Sequence, residues 1–185
     1  MDDQVTISHL KRGDLGGLES LVKRYQARAV HTAYLILHDR SLAEDVVQTA
    51  FIKVAEHVRQ FDDTRPFAPW FFRIVANDAL KVAKQQQRIL PLPDEVDEPT
   101  AHLAEWLVDP GPEPEQVFER EEMRRLILRA LRSLPPEQRT VVVMRYFVDM
   151  PLSDMVSATN RPLSTIKWWL RDARQRLRRM IHEAT

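Results

Sequence analysis

The 185-residue chain contains no cysteine and only four glycines. Without cysteine, disulfide bonds and thiolate metal ligands are excluded. Scarce glycine and few alternating apolar stretches favour an all-α fold. No apolar run approaches the roughly 20 residues that span a bilayer, and the acidic start, Met1 to Gln4, does not resemble a secretory signal. We therefore expect a cytoplasmic protein that does not insert into a membrane.

The sequence also lacks the usual motifs of enzyme chemistry. It has no glycine-rich phosphate loop and no serine in a nucleophile elbow. None of the histidines stands at a metal-ligand spacing; they are His9, His31, His38, His57, His102 and His182. We therefore expect a non-enzymatic protein with no metal site and no cofactor.

A net charge of zero conceals an uneven distribution along the chain. Residues 91–120 carry nine acids, one arginine and six of the twelve prolines, whereas residues 121–185 carry 13 basic and seven acidic side chains. Proline and repelling like charges favour an extended segment. The sequence therefore predicts two modules, 1–90 and 121–185, joined by a linker, 91–120, with one or two short helical turns at 101–108. The basic C-terminal module suits nucleic acid, although a solvated helix face would carry similar charge.

The C-terminal module has the pattern of a helix-turn-helix. Predicted helices cover Val117–Ser133, Glu137–Val148, Leu152–Ala158 and Leu163–His182. The last helix has an apolar stripe, expected to be buried, of Leu163, Ile166, Leu170, Ala173, Leu177 and Ile181. Its other stripe consists of Ser164, Lys167, Trp168, Arg171, Gln175 and Arg178. Asn160, in the preceding turn, tolerates left-handed backbone. Such a stripe suits a recognition helix in a major groove; the basic exterior of a helix bundle is the alternative.

The N-terminal module is predicted to contain a long helix, Leu18–Leu37, and a second helix over 42–58. The apolar face of the second helix comprises Val46, Val47, Ala50, Phe51, Val54 and Val58. Another of its faces comprises Glu44, Asp45, Gln48, Thr49 and Ile52. Exposed acids beside an amide suit docking on basic partner helices, and a solvated face is the alternative.

A third helix is predicted to begin near Pro69, after a loop over residues 61–66. One stripe of this helix steps by three or four residues and consists of Trp70, Arg73, Asn77, Lys81, Lys84 and Arg88. An aromatic ring at the start of a basic stripe can stack on an exposed base while the cations follow the phosphates. Four phenylalanines cluster at the same end, Phe61, Phe67, Phe71 and Phe72. Some of them must be core, Phe71 foremost.

Motifs in both modules resemble the extracytoplasmic-function (ECF, group IV) sigma factors of the sigma-70 family. The runs Leu134-Pro-Pro-Glu-Gln-Arg139 to Phe147, Ser153 to Val156, and Ser164 to Arg174 are similar to region 4. The runs Ala43 to Phe51 and Phe61 to Asn77 are similar to region 2. Their order, with a linker between them, is more specific than either motif alone.

This resemblance implies a sigma factor that directs promoter-specific transcription initiation by RNA polymerase. Region 2 would dock on the β′ clamp helices of core polymerase through Glu44, Asp45, Gln48, Thr49 and Ile52. It would melt and read the −10-type element, its 61–66 loop holding a flipped base, through Phe61, Asp62, Trp70, Arg73, Asn77, Lys81, Lys84 and Arg88. Region 4 would pack on the β flap and bind the −35-type element through Ser164, Thr165, Lys167, Trp168, Arg171, Arg174 and Arg178.

Several positions depart from the family pattern. Leu42 and Thr49 stand where acids are common, so the docking face is short of negative charge. Phosphorylation of Thr49 by a Ser/Thr kinase would restore that charge, whereas other members of the family are controlled by anti-sigma factors. Ser164 replaces a usual glycine, Pro151 replaces a capping residue, and Trp168 and Trp169 stand in tandem. Trp168 is predicted to face outward and Trp169 to lie at the edge of the core.

Two other functions remain open from the residues alone. A helix-turn-helix regulator without sigma activity would need the C-terminal module but not the aromatic and basic stripe at 70–88. A helical adaptor without nucleic acid would use only the acidic face at 44–49.

Overall fold

The computed structural model describes residues 3–89 and 114–184, and these ranges contain helices and no strands. The helices are α1 (Asp3–Lys11), α2 (Leu15–Leu37), α3 (Arg40–His57), α4 (Phe67–Ile89), α5 (Pro114–Arg132), α6 (Pro136–Tyr146), α7 (Leu152–Thr159) and α8 (Leu163–Ala184). A short 3-10 turn, Val58–Gln60, follows α3. The prediction of an all-α fold is confirmed. The helical turns predicted at 101–108 lie outside the described residues, and α5 begins at Pro114, inside the range predicted as linker.

Aspartate side chains determine where α2 and α3 begin. The Asp14 carboxylate accepts the amide hydrogen of Gly16 at 2.9 Å, and that of Asp39 accepts the amide hydrogen of Leu42 at 2.9 Å. Each satisfies an amide that the first helical turn leaves without a partner. The long α2 ends at His38, whose left-handed φ of 56° turns the chain into α3.

The core of the N-terminal module is aromatic. Phe71 lies at its centre, with its ring centroid 4.6 Å from that of Phe51 and 5.6 Å from that of Phe67. Phe61 and Phe72 are also buried. All four clustered phenylalanines are therefore core residues. Phe67, Phe71 and Phe72 lie on α4, and Phe61 packs against Phe67 from the loop before that helix.

Helix α1 was not predicted from the sequence. Its Ile7 and Leu10 are buried against α2, which passes unusually close. A Cβ added at Gly17 would lie 2.6 Å from the carbonyl oxygen of Thr6, so a glycine is needed at this crossing. Asp3 ties the other end of α1 to α2 by accepting a hydrogen bond from Tyr25.

The C-terminal module folds as a helix-turn-helix, with α7 and α8 joined at Asn160. Its φ of 51° and ψ of 42° are left-handed, as predicted. Ile166, Leu170 and Ala173 of α8 are buried. Leu163 is 42% exposed, contrary to the predicted stripe, because the first residue of α8 projects beyond the end of the core.

The two modules contact each other, α2 and α4 of the first lying against α5, α6 and α7 of the second. The Arg139 guanidinium of α6 donates to the carbonyl oxygen of Ile36 at 2.6 Å. The Lys84 ammonium of α4 forms an ion pair with Glu137 at 2.8 Å. Polar groups from both sides therefore hold the modules in a compact arrangement.

Candidate nucleic-acid and partner interfaces

The face of α3 predicted to dock on a partner is accessible. Ile52 is 58% exposed, and Asp45, Gln48 and Thr49 are exposed beside it. Glu44 is half-buried and accepts a hydrogen bond from Arg40 at 2.9 Å. An apolar side chain flanked by acidic and amide groups offers both contact area and charge to a basic partner surface.

A cavity of about 330 Å³ lies between α3 and α4. It collects part of the stripe predicted on α4 and adds three residues that sequence reasoning missed. The predicted members are Trp70, Arg73, Asn77 and Lys81, and the additional members are Lys53, Ile74 and Asp78. We call this cavity the α3–α4 pocket.

A buried carboxylate organises the cations of the α3–α4 pocket. Asp78 is 9% exposed and accepts hydrogen bonds from the ammonium groups of Lys53 at 2.6 Å and Lys81 at 3.3 Å. The two lysines are thereby held at the pocket in preferred positions, since a buried charge is stabilised only when it is paired. No sequence motif marks Asp78, which directly follows Asn77 of the predicted stripe.

Trp70 supplies the aromatic wall of the pocket. Its ring centroid lies 4.9 Å from that of Phe61 and 5.7 Å from that of Phe67, so these two rings support it from behind. Phe61 is only 5% exposed. The direct contact with DNA predicted for Phe61 is therefore not available in this structure, because its ring is packed in the core beneath Trp70.

The loop that follows Phe61 closes on itself at Asp62. The Asp62 carboxylate accepts hydrogen bonds from the backbone amide of Thr64 at 3.0 Å and from its hydroxyl at 2.7 Å. These bonds, with the positive charges of Arg65 and Lys11 nearby, hold the pKa of Asp62 below its ordinary value. The exposed loop therefore keeps a defined turn and a negative charge.

The structure separates the last two members of the α4 stripe from the pocket. Lys84 points to the C-terminal module, where it pairs with Glu137. Arg88 is exposed near the end of α4. The side chains brought together are thus those from Trp70 to Lys81.

Helix α8 presents a basic outer face. Trp168 is 57% exposed, and Trp169 is partly buried and packed against the core, as the helical projection predicted. Thr165 is half-buried. The exposed members of the predicted set are Ser164, Lys167, Trp168, Arg171, Arg174 and Arg178. Cations, a hydroxyl and an aromatic ring on one helix face can contact phosphates and base edges in a major groove.

Asp172 fixes α8 to α6. Its carboxylate accepts hydrogen bonds from the Gln138 amide at 2.8 Å and from Arg176 at 3.0 Å. The Gln138 bond, followed by the Arg176 charge, lowers the pKa of Asp172.

Among the described residues, no group of acidic or histidine side chains could hold a metal ion. No helix in the same ranges is long and apolar enough to cross a membrane.

Comparisons with known proteins give the same two-part division. Sigma-70 region 2 matches residues 21–89, and sigma-70 region 4 matches residues 124–177. The chain is 27% identical over 179 residues to the ECF RNA polymerase sigma factor SigW of Bacillus subtilis, covering 96% of this chain and 95% of SigW. It is 27% identical to the ECF RNA polymerase sigma-E factor of Escherichia coli, covering 90% of this chain and 87% of that protein.

Two solved structures share the fold at 18% identity. The first is CnrH in complex with the cytosolic domain of CnrY, with a TM-score of 0.67 and 99% of both chains covered. The second is the sigma factor RpoE in complex with the anti-sigma factor NepR from Bartonella quintana, with a TM-score of 0.64, covering 89% of this chain and 96% of RpoE.

The chain belongs to the sigma-70 family. Within that family it is an ECF-type RNA polymerase sigma factor, and it is therefore a transcription initiation factor and not an enzyme. The alternative of a helix-turn-helix regulator without sigma activity is not favoured, because region 2 is present as well as region 4.

Proposed function

We propose that this sigma factor brings core RNA polymerase to promoter DNA through three separate surfaces. The exposed face of α3, from Glu44 to Ile52, docks on the β′ clamp helices. The α3–α4 pocket and the 61–66 loop capture melted bases of a −10-type element. The outer face of α8 reads a −35-type element in duplex DNA, while the C-terminal module packs on the β flap.

The α3–α4 pocket is the observation that carries this proposal. Taking a base out of a duplex costs a few kcal/mol, and stacking on an aromatic side chain returns about 1–3 kcal/mol per base. Trp70 offers such a surface. Lys53 and Lys81 share the single carboxylate of Asp78, so the three side chains together keep a net positive charge, which attracts the phosphates of a bound strand. A protein that bound only duplex DNA would have no use for this arrangement.

Transcription from a randomised promoter library tests the function as a whole. The purified chain is mixed with core polymerase and the library, and the transcripts are sequenced. Initiation at a defined pair of elements that depends on the chain supports the proposal. Sequence-specific duplex binding without polymerase-dependent transcription supports the regulator instead. The absence of both activities supports the adaptor.

Replacing Trp70 with alanine should weaken binding of a single-stranded −10 oligonucleotide by about 10-fold or more, the loss expected for one stacked base. Trp70→Phe keeps an aromatic face and should retain most of the affinity. Fluorescence anisotropy measures both variants, with a melting temperature for each to separate binding from folding. Equal affinities of Trp70→Ala and the wild type would contradict base stacking at this position.

On α8 we assign phosphate and base-edge contacts to Lys167, Arg171, Arg174 and Arg178, with hydroxyl contacts from Ser164 and Thr165. Trp168 supplies an apolar surface of the kind that contacts a thymine methyl group. This assignment rests on their shared face and on the exposure of every member except Thr165.

Thr49 is proposed as a phosphorylation site that strengthens docking on polymerase. Its side chain is exposed between those of Asp45 and Ile52, and a phosphate there would add negative charge to a face that meets basic helices. Thr49→Asp should bind core polymerase more tightly than Thr49→Ala, by roughly two- to fivefold for one partly exposed charge. Surface plasmon resonance at two salt concentrations measures the difference. Equal affinities would remove the phosphorylation hypothesis.

Control by an anti-sigma factor is the alternative to control by a Ser/Thr kinase. CnrH and RpoE, which share the fold, were both solved as complexes, and the partner of RpoE is named as an anti-sigma factor. If the two Thr49 variants behave alike, this second form of control becomes the better proposal for this chain.

A further inference from the structure

We propose that Lys11 of α1 is a positioning residue for promoter melting, which it supports by holding the 61–66 loop against Trp70. This inference rests on the proposed base capture in the α3–α4 pocket. Helix α1 precedes the residues that match sigma-70 region 2, which begin at residue 21. Helix α1 thus has a function in promoter melting, although it lies outside the match to region 2.

The Lys11 ammonium connects α1 to the beginning of the loop. It donates to the carbonyl oxygen of Phe61 at 2.7 Å and forms an ion pair with Asp63 at 2.7 Å. Gln4, on the same face of α1 but two turns earlier, donates to the carbonyl oxygen of Asp63 at 3.4 Å. Two side chains of α1 thus hold three acceptors of the same short segment.

The helix that carries Lys11 is itself firmly anchored. Ile7 and Leu10 are buried against the module, and Gly17 allows α1 to lie in direct contact with the backbone of α2. The backbone of Lys11 is therefore fixed, and its ammonium reaches the loop from a rigid support. A flexible tail could not define the position of the Phe61 carbonyl in this way.

The position of Phe61 determines the position of Trp70. The Phe61 ring lies directly against the indole, at a centroid distance of 4.9 Å, and Phe61 also begins the turn closed by Asp62 and Thr64. If Lys11 is removed, the Phe61 carbonyl and the Asp63 carboxylate both lose their partner. The loop can then leave its place, and the indole loses the ring that supports it from behind.

A direct contact between Lys11 and a DNA phosphate is a different mechanism, and it makes a different prediction. A lysine that neutralises a phosphate contributes to the salt dependence of binding, and its loss lowers the slope by about one unit. Lys11 is only 24% exposed and is already paired with Asp63. A positioning role therefore leaves the salt slope unchanged while base capture decreases.

The test uses holoenzyme reconstituted from core polymerase and the full chain. The promoter is one selected from the library, with 2-aminopurine at each −10 position in turn, so that a flipped base gives a fluorescence increase. Lys11→Met should reduce the equilibrium constant for base capture by about tenfold, as expected for loss of a charged hydrogen bond. Lys11→Arg retains the donors and should restore it. Lys23→Met is the matched control, because Lys23 lies on the exposed side of α2 and pairs there with Glu19 of the same helix.

Three results would overturn the proposal. The first is that Lys11→Met captures the base as well as the wild type does. The second is that Lys11→Met lowers the salt slope of DNA binding by about one unit, the change expected for one phosphate contact. The third is that Lys11→Arg fails to restore base capture. A wild-type holoenzyme that transcribes but gives no fluorescence increase at any position would overturn the proposed base capture itself, and the role of Lys11 with it.

Discussion

Replacing Arg139 with methionine should lower the free energy of unfolding by about 3 kcal/mol and separate the two modules. The half-buried guanidinium donates to the carbonyl oxygens of Ile36 at 2.6 Å, Leu134 at 3.0 Å and Arg132 at 3.2 Å. A hydrogen bond to a charged group contributes about 1.5–3 kcal/mol, and a buried carbonyl left without a donor adds to the cost. Methionine keeps the packing volume but offers no donor, so the contact between α2 and α6 is lost.

Urea unfolding measures the stability of the Arg139 variant, and the distance between two spin labels measures the separation of the modules. The chain has no cysteine, so Glu19→Cys and Ser157→Cys place one label on each module without further changes. Arg145→Met is the control on the same helix, since Arg145 donates to the carbonyl oxygen of Met150 in its own module, at 3.4 Å. An unchanged label distance in Arg139→Met would show that other contacts hold the compact arrangement.

Acidification should destabilise the same region through His38. Burial is the main cause that lowers the pKa of His38 to about 3, and the charges of Arg139 and Arg132 add to it. Its Nε2 is buried without a hydrogen-bond partner among the described residues. In the unfolded chain a histidine titrates near pH 6.5, so below that pH the unfolded state binds the extra proton. Stability is therefore highest above pH 6.5 and falls as the pH decreases towards 3, by up to about 1.4 kcal/mol per unit.

His31 acts in the same direction. Burial lowers its pKa, with a further contribution from Arg124, and its ring lies 6.3 Å from that of Phe147 in the other module. The carboxylates with lowered pKa values, such as Asp172, lose their contribution only near and below pH 4. The change in stability between pH 6.5 and pH 5 therefore reports on the histidines and not on these carboxylates.

The His38→Asn variant separates this histidine from the others. Asparagine tolerates the left-handed backbone at position 38 and does not titrate. Urea unfolding at pH 7, 6 and 5 should show a loss of stability for the wild type and a clearly smaller loss for His38→Asn. His57→Asn, at an exposed position on α3, should follow the wild type. A His38→Asn variant with the full pH dependence would rule out His38 as its source.

Helix periodicity predicted those features that depend on one helix at a time. The buried face of α3, with Val46, Val47 and Val54, follows from the 3.6-residue period, as does the different exposure of Trp168 and Trp169. The predicted burial of Leu163 was wrong only because the first residue of α8 extends beyond the core. The turn at Asn160 could be predicted because few residues adopt left-handed backbone.

Features that depend on contacts between helices could not be predicted in this way. Lys53 and Asp78 belong to the pocket only because α3 and α4 pack side by side, and neither stands out in its own helix. The contact between Arg139 and Ile36 joins residues about a hundred positions apart. Helix α1 was missed because Ile7 and Leu10 are isolated in a short polar stretch, and only the Gly17 crossing explains their burial.

The ion pair between Lys84 and Glu137 places the compact arrangement in competition with the promoter. If Lys84 follows the DNA phosphates, as the resemblance to region 2 implies, it must leave Glu137 to do so. Thermodynamic reciprocity then requires that closure of the modules weakens promoter affinity by the same factor by which the promoter opposes closure. In the free sigma factor the Glu137 carboxylate would thus compete with DNA for Lys84. Polymerase would act in part by separating the modules and so removing that competition.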